Sequence, residues 1–150
     1  MGGRLGGVAV EVVRILLDTH ALLWWLLDDA RLSERARGEI RDSATTVLVS
    51  SASGWEIATK HRLGKLGLRP SDAALPAPSS FDPRRLPELL LRDRVDVLPI
   101  SIEHALEAGL LPGPHRDPFD RMLVAQCRLE GLPLVTIDPV FRAFDVEVIW

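Results

Sequence analysis

The chain has 150 residues, 47% of them hydrophobic and 5% aromatic, and its 18 basic and 21 acidic side chains leave a formal net charge of −3. That length supports one buried core and excludes two comfortable domains. A single cysteine, Cys127, excludes an intramolecular disulfide framework and a cysteine zinc site. No apolar run approaches the roughly 18–20 residues of a membrane span, and the charge balance excludes a dedicated basic coat for nucleic acid while leaving both signs for a basic rim around an acidic pocket.

The glycine-rich lead reads as a flexible extension over residues 1–11 without the pattern of a secretory signal, so a single domain over 12–150 in a soluble, cytoplasmic protein is expected. Residues 12–17, VVRILL from Val12, form a short apolar, β-branched run that predicts a buried strand, followed by a helix over 19–27. Ser33 is a plausible N-cap for an arginine-rich helix to Arg41, and 45–50 predicts a second strand. A helix from Ser53 carries Trp55, Glu56 and Lys60 and ends near the glycines of RLGKLG. Pro70 to Pro83 is a Pro-, Ser- and Ala-rich surface loop. Residues 83–92 read as an irregular helix interrupted by Pro87, 95–100 as a strand, and Ser101 as the cap of the next helix. After the loop at 111–116 come a helix from Pro118 to about Leu129, a strand over 132–136, a helical turn from Asp138 and a last strand over 146–149. Alternating helices and continuous apolar strands predict a mainly parallel sheet covered on both faces, an α/β/α sandwich. Cys127 reads as a core residue.

Ligands of such sheets collect at the carboxyl ends of the strands. Asp18 and Asp138 directly follow strands, Glu56 lies six residues past one, and Asp117 and Asp120 open a helix that runs back into the sheet. Each acid has two readings. Acidic residues at helix starts satisfy free backbone NH groups and complement the helix dipole. Asp117 before Pro118 and Asp138 before Pro139 have the pattern of N-caps, and Ser53 with Glu56 matches a capping box. Asp18 is least explained in this way, because it ends an apolar strand and Thr19 could serve as the cap. Carboxylates gathered at one sheet edge repel unless a cation neutralises them, and an all-oxygen set with no cysteine suits Mg²⁺ or Mn²⁺ better than Zn²⁺. Such ions activate water for attack on a phosphodiester.

At LLDTHALLW, SGWEIATKHRLGKL, HRDPFDRMLVAQ and LVTIDPVF, in that order, the chain resembles the PIN-domain ribonucleases, specifically the VapC-type toxins of bacterial toxin–antitoxin pairs. The resemblance covers about residues 14–150. It implies a PIN-like α/β/α sandwich and a Mg²⁺- or Mn²⁺-dependent endoribonuclease, usually homodimeric, whose acidic pocket a small antitoxin occludes. Carried over by position, Asp18 matches the first-strand aspartate, Glu56 the helix glutamate, Asp120 the aspartate ahead of the helix motif and Asp138 the late aspartate. Asp117 is additional, belonging to a DPFDR variant of the pattern, and Thr136 matches a small hydroxylated position. The pattern departs at His20, where many relatives carry Asn or Ser.

The roles that follow are Asp18 and Asp120 as direct metal ligands, Glu56 and Asp117 as ligands or holders of water, and Asp138 as support for a second ion. Lys60, Arg62, Lys65 and Arg69 could contact RNA phosphates, although Lys60 also has the spacing to pair with Glu56. His20 and His115 lack metal-type spacing, His61 and His104 read as ordinary helix residues, and Trp24, Trp25 and, in the same way, Trp55 read as core or dimer-interface residues, with apolar surface on the first two helices, ahead of the alternative that they stack on an RNA base. The rival readings are a catalytically inactive PIN-like module that binds RNA or protein, and a related nuclease acting on DNA flaps, for whose helical clamp the chain lacks room.

Overall fold

The computed structural model describes residues 12–66 and 81–150. The expected extension over 1–11, Arg69 and most of the Pro-, Ser- and Ala-rich stretch lie outside the described residues.

Five parallel strands, β1 (Val13–Leu17), β2 (Thr45–Ser50), β3 (Val95–Leu98), β4 (Leu134–Val135) and β5 (Val148–Ile149), form one sheet in the order β3-β2-β1-β4-β5. The register sets Ile15 beside Val47 and Leu17 beside both Val49 and Val135. The two-residue period of a strand divides the core. Ile15, Leu17, Val47, Val49, Val95, Val135 and Ile149 face one cluster, whereas Leu16, Leu48, Leu98 and Leu134 face the other. The first face is covered by α1 (Thr19–Leu26), α2 (Glu34–Arg41), α3 (Ser51–Arg62) and α4 (Leu86–Arg92), and the second by α6 (Pro118–Glu130), Leu111 and Phe141, with α5 (Ile102–Leu110) packed on α6. Burial on both sides is why these strands read as unbroken apolar runs.

Four expected strands are shorter in the structure, β1 by one residue and β3, β4 and β5 by two or more. Pro99 follows β3 and Pro133 precedes β4, and neither can donate a ladder hydrogen bond. Pro87 does not interrupt α4. It falls in the first turn, after a 3₁₀ turn at Pro83–Arg85, where a missing NH costs nothing. The capping box expected at Ser53 and Glu56 is not formed, because Ser50 ends β2 and caps α3 by accepting from Ala52 N at 3.0 Å. Ser53, two residues into α3, is buried instead. The capping box sits at α5, where Ser101 accepts from His104 N at 3.1 Å and His104 Nδ1 accepts from Ser101 N at 3.0 Å. His104 is therefore no ordinary helix residue: it is 3% exposed and its Nε2 lies 2.8 Å from Glu130.

The chain leaves β1 toward β2 and β3 on one side, and leaves β4 toward β5 on the other. The carboxyl ends of β1 and β4 thus flank the point where strand order reverses, the place where α/β sheets open a crevice.

Candidate active site

Asp18 lies at that reversal. It caps α1 after all, accepting from Ala21 N at 2.7 Å, while its second oxygen accepts from the Thr136 hydroxyl at 2.5 Å. Thr19 is not the cap. Its hydroxyl donates to Glu56 Oε1 at 2.5 Å and lies 3.0 Å from the Ser53 hydroxyl, tying the start of α1 to the inner face of α3. Glu56 is buried, and its other oxygen is paired with Lys60 one turn along. The i,i+4 pairing read from sequence is thus formed.

Asp117 caps α6 by accepting from Phe119 N at 2.9 Å and Asp120 N at 3.1 Å, with Pro118 at the first helical position. Asp120 Oδ2 lies 2.9 Å from His115 Nε2. Asp138 caps the 3₁₀ turn Pro139–Ala143 by accepting from Val140 N, and its own NH donates to the Thr136 hydroxyl at 3.0 Å. Thr136 therefore couples the ends of β1 and β4 through one side chain.

Asp18, Glu56, Asp117, Asp120 and Asp138 all line a single cavity of about 100 Å³ with Thr19, His20, Lys60, Leu123 and Phe141. Burial raises the Asp18 carboxyl to about 6 from 3.8, against the hydrogen bonds from Thr136 and Ala21, and the charges of Glu56 and Asp138 push it the same way. Asp120 is also raised to about 6, first by burial and further by Asp117 and Glu56, against the His115 contact. His20 is held below its ordinary value by burial, then by Lys60. Two acids that resist ionisation because of burial and neighbouring charge form the kind of cluster found at functional sites.

The donors fit a hard divalent cation: five carboxylates and the Thr19 hydroxyl, with no thiol in the lining. The carboxylates are held by Thr136, Thr19, Lys60, His115 and backbone NH groups. Among the described residues no three His, Cys, Asp or Glu side chains stand as a ready ligand set. Such a cation would take oxygens now held by these partners.

Arg62 and Lys65 lie outside the cavity lining, beyond Lys60 along and just after α3. Trp24 is buried against His20 and Trp150, within this chain, and six of the eight α1 residues are buried. The apolar exposure expected on the first two helices lies instead on α5, at Ile102, Leu106 and Leu110. Cys127 is buried in the core, as expected.

Sequence reasoning missed the role of Arg121. Its guanidinium donates to Ala108 O and His115 O, each at 2.9 Å, and to Leu111 O, gathering the open carbonyls after α5 and fixing the loop that carries His115 and Asp117. The available signal was an arginine four residues beyond Asp117, which suggests an ion pair rather than this carbonyl clamp.

Residues 15–147 match the PIN domain family, and the chain belongs to that family. PIN domains are generally nucleases that use divalent metal ions. The fold is similar to that of VapBC2 from Rickettsia felis bound to a DNA fragment from its promoter, with a TM-score of 0.59 and 14% identity over 91% of this chain and 97% of the other. It is also similar to VapBC-1 from nontypeable Haemophilus influenzae (TM-score 0.56, 14% identity, 91% and 96% covered) and to FitAcB from Neisseria gonorrhoeae (TM-score 0.54, 20% identity, 89% and 95% covered). No curated protein matches the sequence. Among the described residues no helix is long and apolar enough to cross a membrane.

Proposed function

We propose that this chain, as one PIN domain over residues 12–150, is a Mg²⁺- or Mn²⁺-dependent endoribonuclease of the VapC toxin type that hydrolyses RNA phosphodiester bonds. The observation that carries the proposal is the meeting of five carboxylates from distant stretches of chain in one cavity, where two of them are held at about 6. Asp18 and Asp120 are assigned as direct ligands, Glu56 and Asp117 as ligands or holders of water, and Asp138 as support for a second ion. When bound, the ion would lower the pKa of an attacking water and offset charge developing on the phosphodiester.

The protein's own residues prepare that chemistry. Thr136 and Ala21 N fix the orientation of Asp18, Thr19 fixes Glu56, and His115 orients Asp120. Lys60, now held by Glu56, lines the cavity where it can meet a substrate phosphate, and Arg62 and Lys65 extend the positive track for salt-sensitive backbone contacts.

The likeness to VapBC2, VapBC-1 and FitAcB supports a small cognate antitoxin that occludes the pocket. The exposed stripe of Ile102, Leu106 and Leu110 on α5 supports a homodimer, and the toxin reading places the protein in the cytoplasm.

Purified, antitoxin-free protein is expected to cleave RNA with Mg²⁺ or Mn²⁺, to stop in EDTA, and to lose activity in Asp18→Asn. The inactive-module reading has one observation in its favour: Lys60 already pairs with Glu56. An inert parent would favour that module, and full activity in Asp18→Asn would refute the site assignment.

A further inference from the structure

Of the four histidines, His20 alone lines the acidic cavity. It is exposed, and among the described residues its ring nitrogens have no hydrogen-bond partner. The other polar side chains of the lining are engaged. Thr19 and Lys60 hold Glu56, and each remaining carboxylate accepts from a backbone NH, from Thr136 or from His115. In a lining otherwise satisfied, the imidazole is the side chain with hydrogen-bonding capacity left for a ligand.

The ring is also braced. His20 stands in the first turn of α1, which Asp18 caps, and one turn on it meets the ring of Trp24, with centroids 5.8 Å apart and planes at 34°. Trp24 is buried; the Trp150 ring meets it edge-on at 5.8 Å, and the Arg31 guanidinium lies over it, 5.1 Å from its centroid. Arg31 is in turn fixed by Asp29. A side chain packed on so constrained a neighbour loses little freedom when it binds, so even one hydrogen bond from it shows in affinity.

Phosphate oxygens have other partners in this cavity, Lys60 and the ion that the acids would hold. A phosphate oxygen only accepts, whereas a hydroxyl accepts or donates and so complements either ring nitrogen in either tautomer. The free hydroxyl nearest an RNA phosphodiester is the ribose 2′-hydroxyl, the group that DNA lacks. We infer that His20, braced by Trp24, is a specificity residue that hydrogen-bonds the ribose 2′-hydroxyl beside the scissile phosphate, so that the cavity takes RNA ahead of DNA. This rests on the nuclease reading above and assigns the choice of sugar to one side chain.

The test is binding in EDTA, where cleavage is absent, of a short fluorescein-labelled single-stranded RNA, of DNA with the same sequence, and of the RNA carrying one 2′-deoxy nucleotide at each position in turn. It uses the parent, His20→Ala and His20→Asn. The parent should bind RNA roughly three- to tenfold more tightly than DNA, the scale of one hydrogen bond, and a single 2′-deoxy position should reproduce the loss. His20→Ala should weaken RNA binding by the same factor, leave DNA binding unchanged and become indifferent to that 2′-deoxy position. His20→Asn, which keeps donors and an acceptor, should recover part of the loss. A parent that binds RNA and DNA equally, or binds neither, would overturn the assignment. So would a preference for RNA that survives in His20→Ala, or an equal loss for RNA and DNA in that variant, since His20 would then contact phosphate or only support the fold. Cleavage with Mn²⁺ is scored separately. A parent that cleaves RNA while His20→Ala keeps the preference loses the sugar contact and keeps the nuclease; an inert parent whose preference vanishes in His20→Ala does the reverse.

Discussion

Replacing Asp18 with Asn should make the metal-free protein more stable, although Asp18 accepts two hydrogen bonds. The carboxyl is 5% exposed and held at about 6 against 3.8 for an ordinary aspartate. Ionising it in the folded chain therefore costs about 3 kcal/mol at neutral pH. An asparagine oxygen can still accept from Ala21 N, and its amide can donate to the Thr136 hydroxyl. The cost of about 3 kcal/mol already counts the two charge-assisted hydrogen bonds, both of which lower the Asp18 value. The net expectation is a gain of up to about 3 kcal/mol, or roughly 6–12 °C in Tm. Because the folded value is raised, the stability of the neutral form is fully present below 3.8 and lost as pH rises through about 6. The ionisation cost therefore opens across that window, falling to about 1 kcal/mol near pH 4.5, and is flat above it. Urea unfolding in EDTA near pH 7.5 and near pH 4.5 reads this directly. Saturating Mg²⁺ should reverse the order, stabilising the parent and not the variant. A variant less stable than the parent in EDTA at neutral pH, or equally stabilised at both pH values, would refute the reasoning.

Apparent Mg²⁺ affinity should fall as pH drops through about 6, because protons compete for Asp18 and Asp120; calorimetric titrations at neutral and mildly acidic pH would show it. Thr136→Val removes the hydroxyl shared by Asp18 and the Asp138 NH, so Mg²⁺ affinity should drop about 10- to 100-fold, measured in the same titration. Arg121→Met leaves the carbonyls after α5 open and should cost about 2 kcal/mol in urea unfolding, with faster amide exchange over residues 111–117. Cys127, pushed up to about 12 by burial, should resist thiol reagents near pH 8 until the chain unfolds; rapid labelling of folded protein would contradict the packing.

The strands were legible because a parallel strand covered on both faces is an unbroken apolar run, as at β1 and β2. Ser33, Ser101, Asp117 and Asp138 were legible because capping is a local event with a local pattern. Ser53 misled for the same reason: Ser50, Ser51 and Ser53 can all cap, and only the end of β2 decides among them. The five acids could be drawn to one sheet edge from topology, but their partners could not. Thr136 reaches Asp18 across 118 positions and Thr19 reaches Glu56 across 37, distances at which sequence spacing carries no geometry. The helix-cap reading holds at Asp117 and Asp138 and extends to Asp18, which caps α1 with one oxygen and accepts from Thr136 with the other, an arrangement compatible with a shared metal.

The central claim is that acids from distant segments share one divalent cation. Mn²⁺ binding followed by electron paramagnetic resonance tests it most directly, on the parent and on Asp18→Asn and Asp120→Asn singly. The account predicts saturable binding by the parent and a loss of about tenfold or more in each variant, although the two residues lie 102 positions apart. Unchanged binding in either variant, or no binding by the parent near neutral pH, would contradict it.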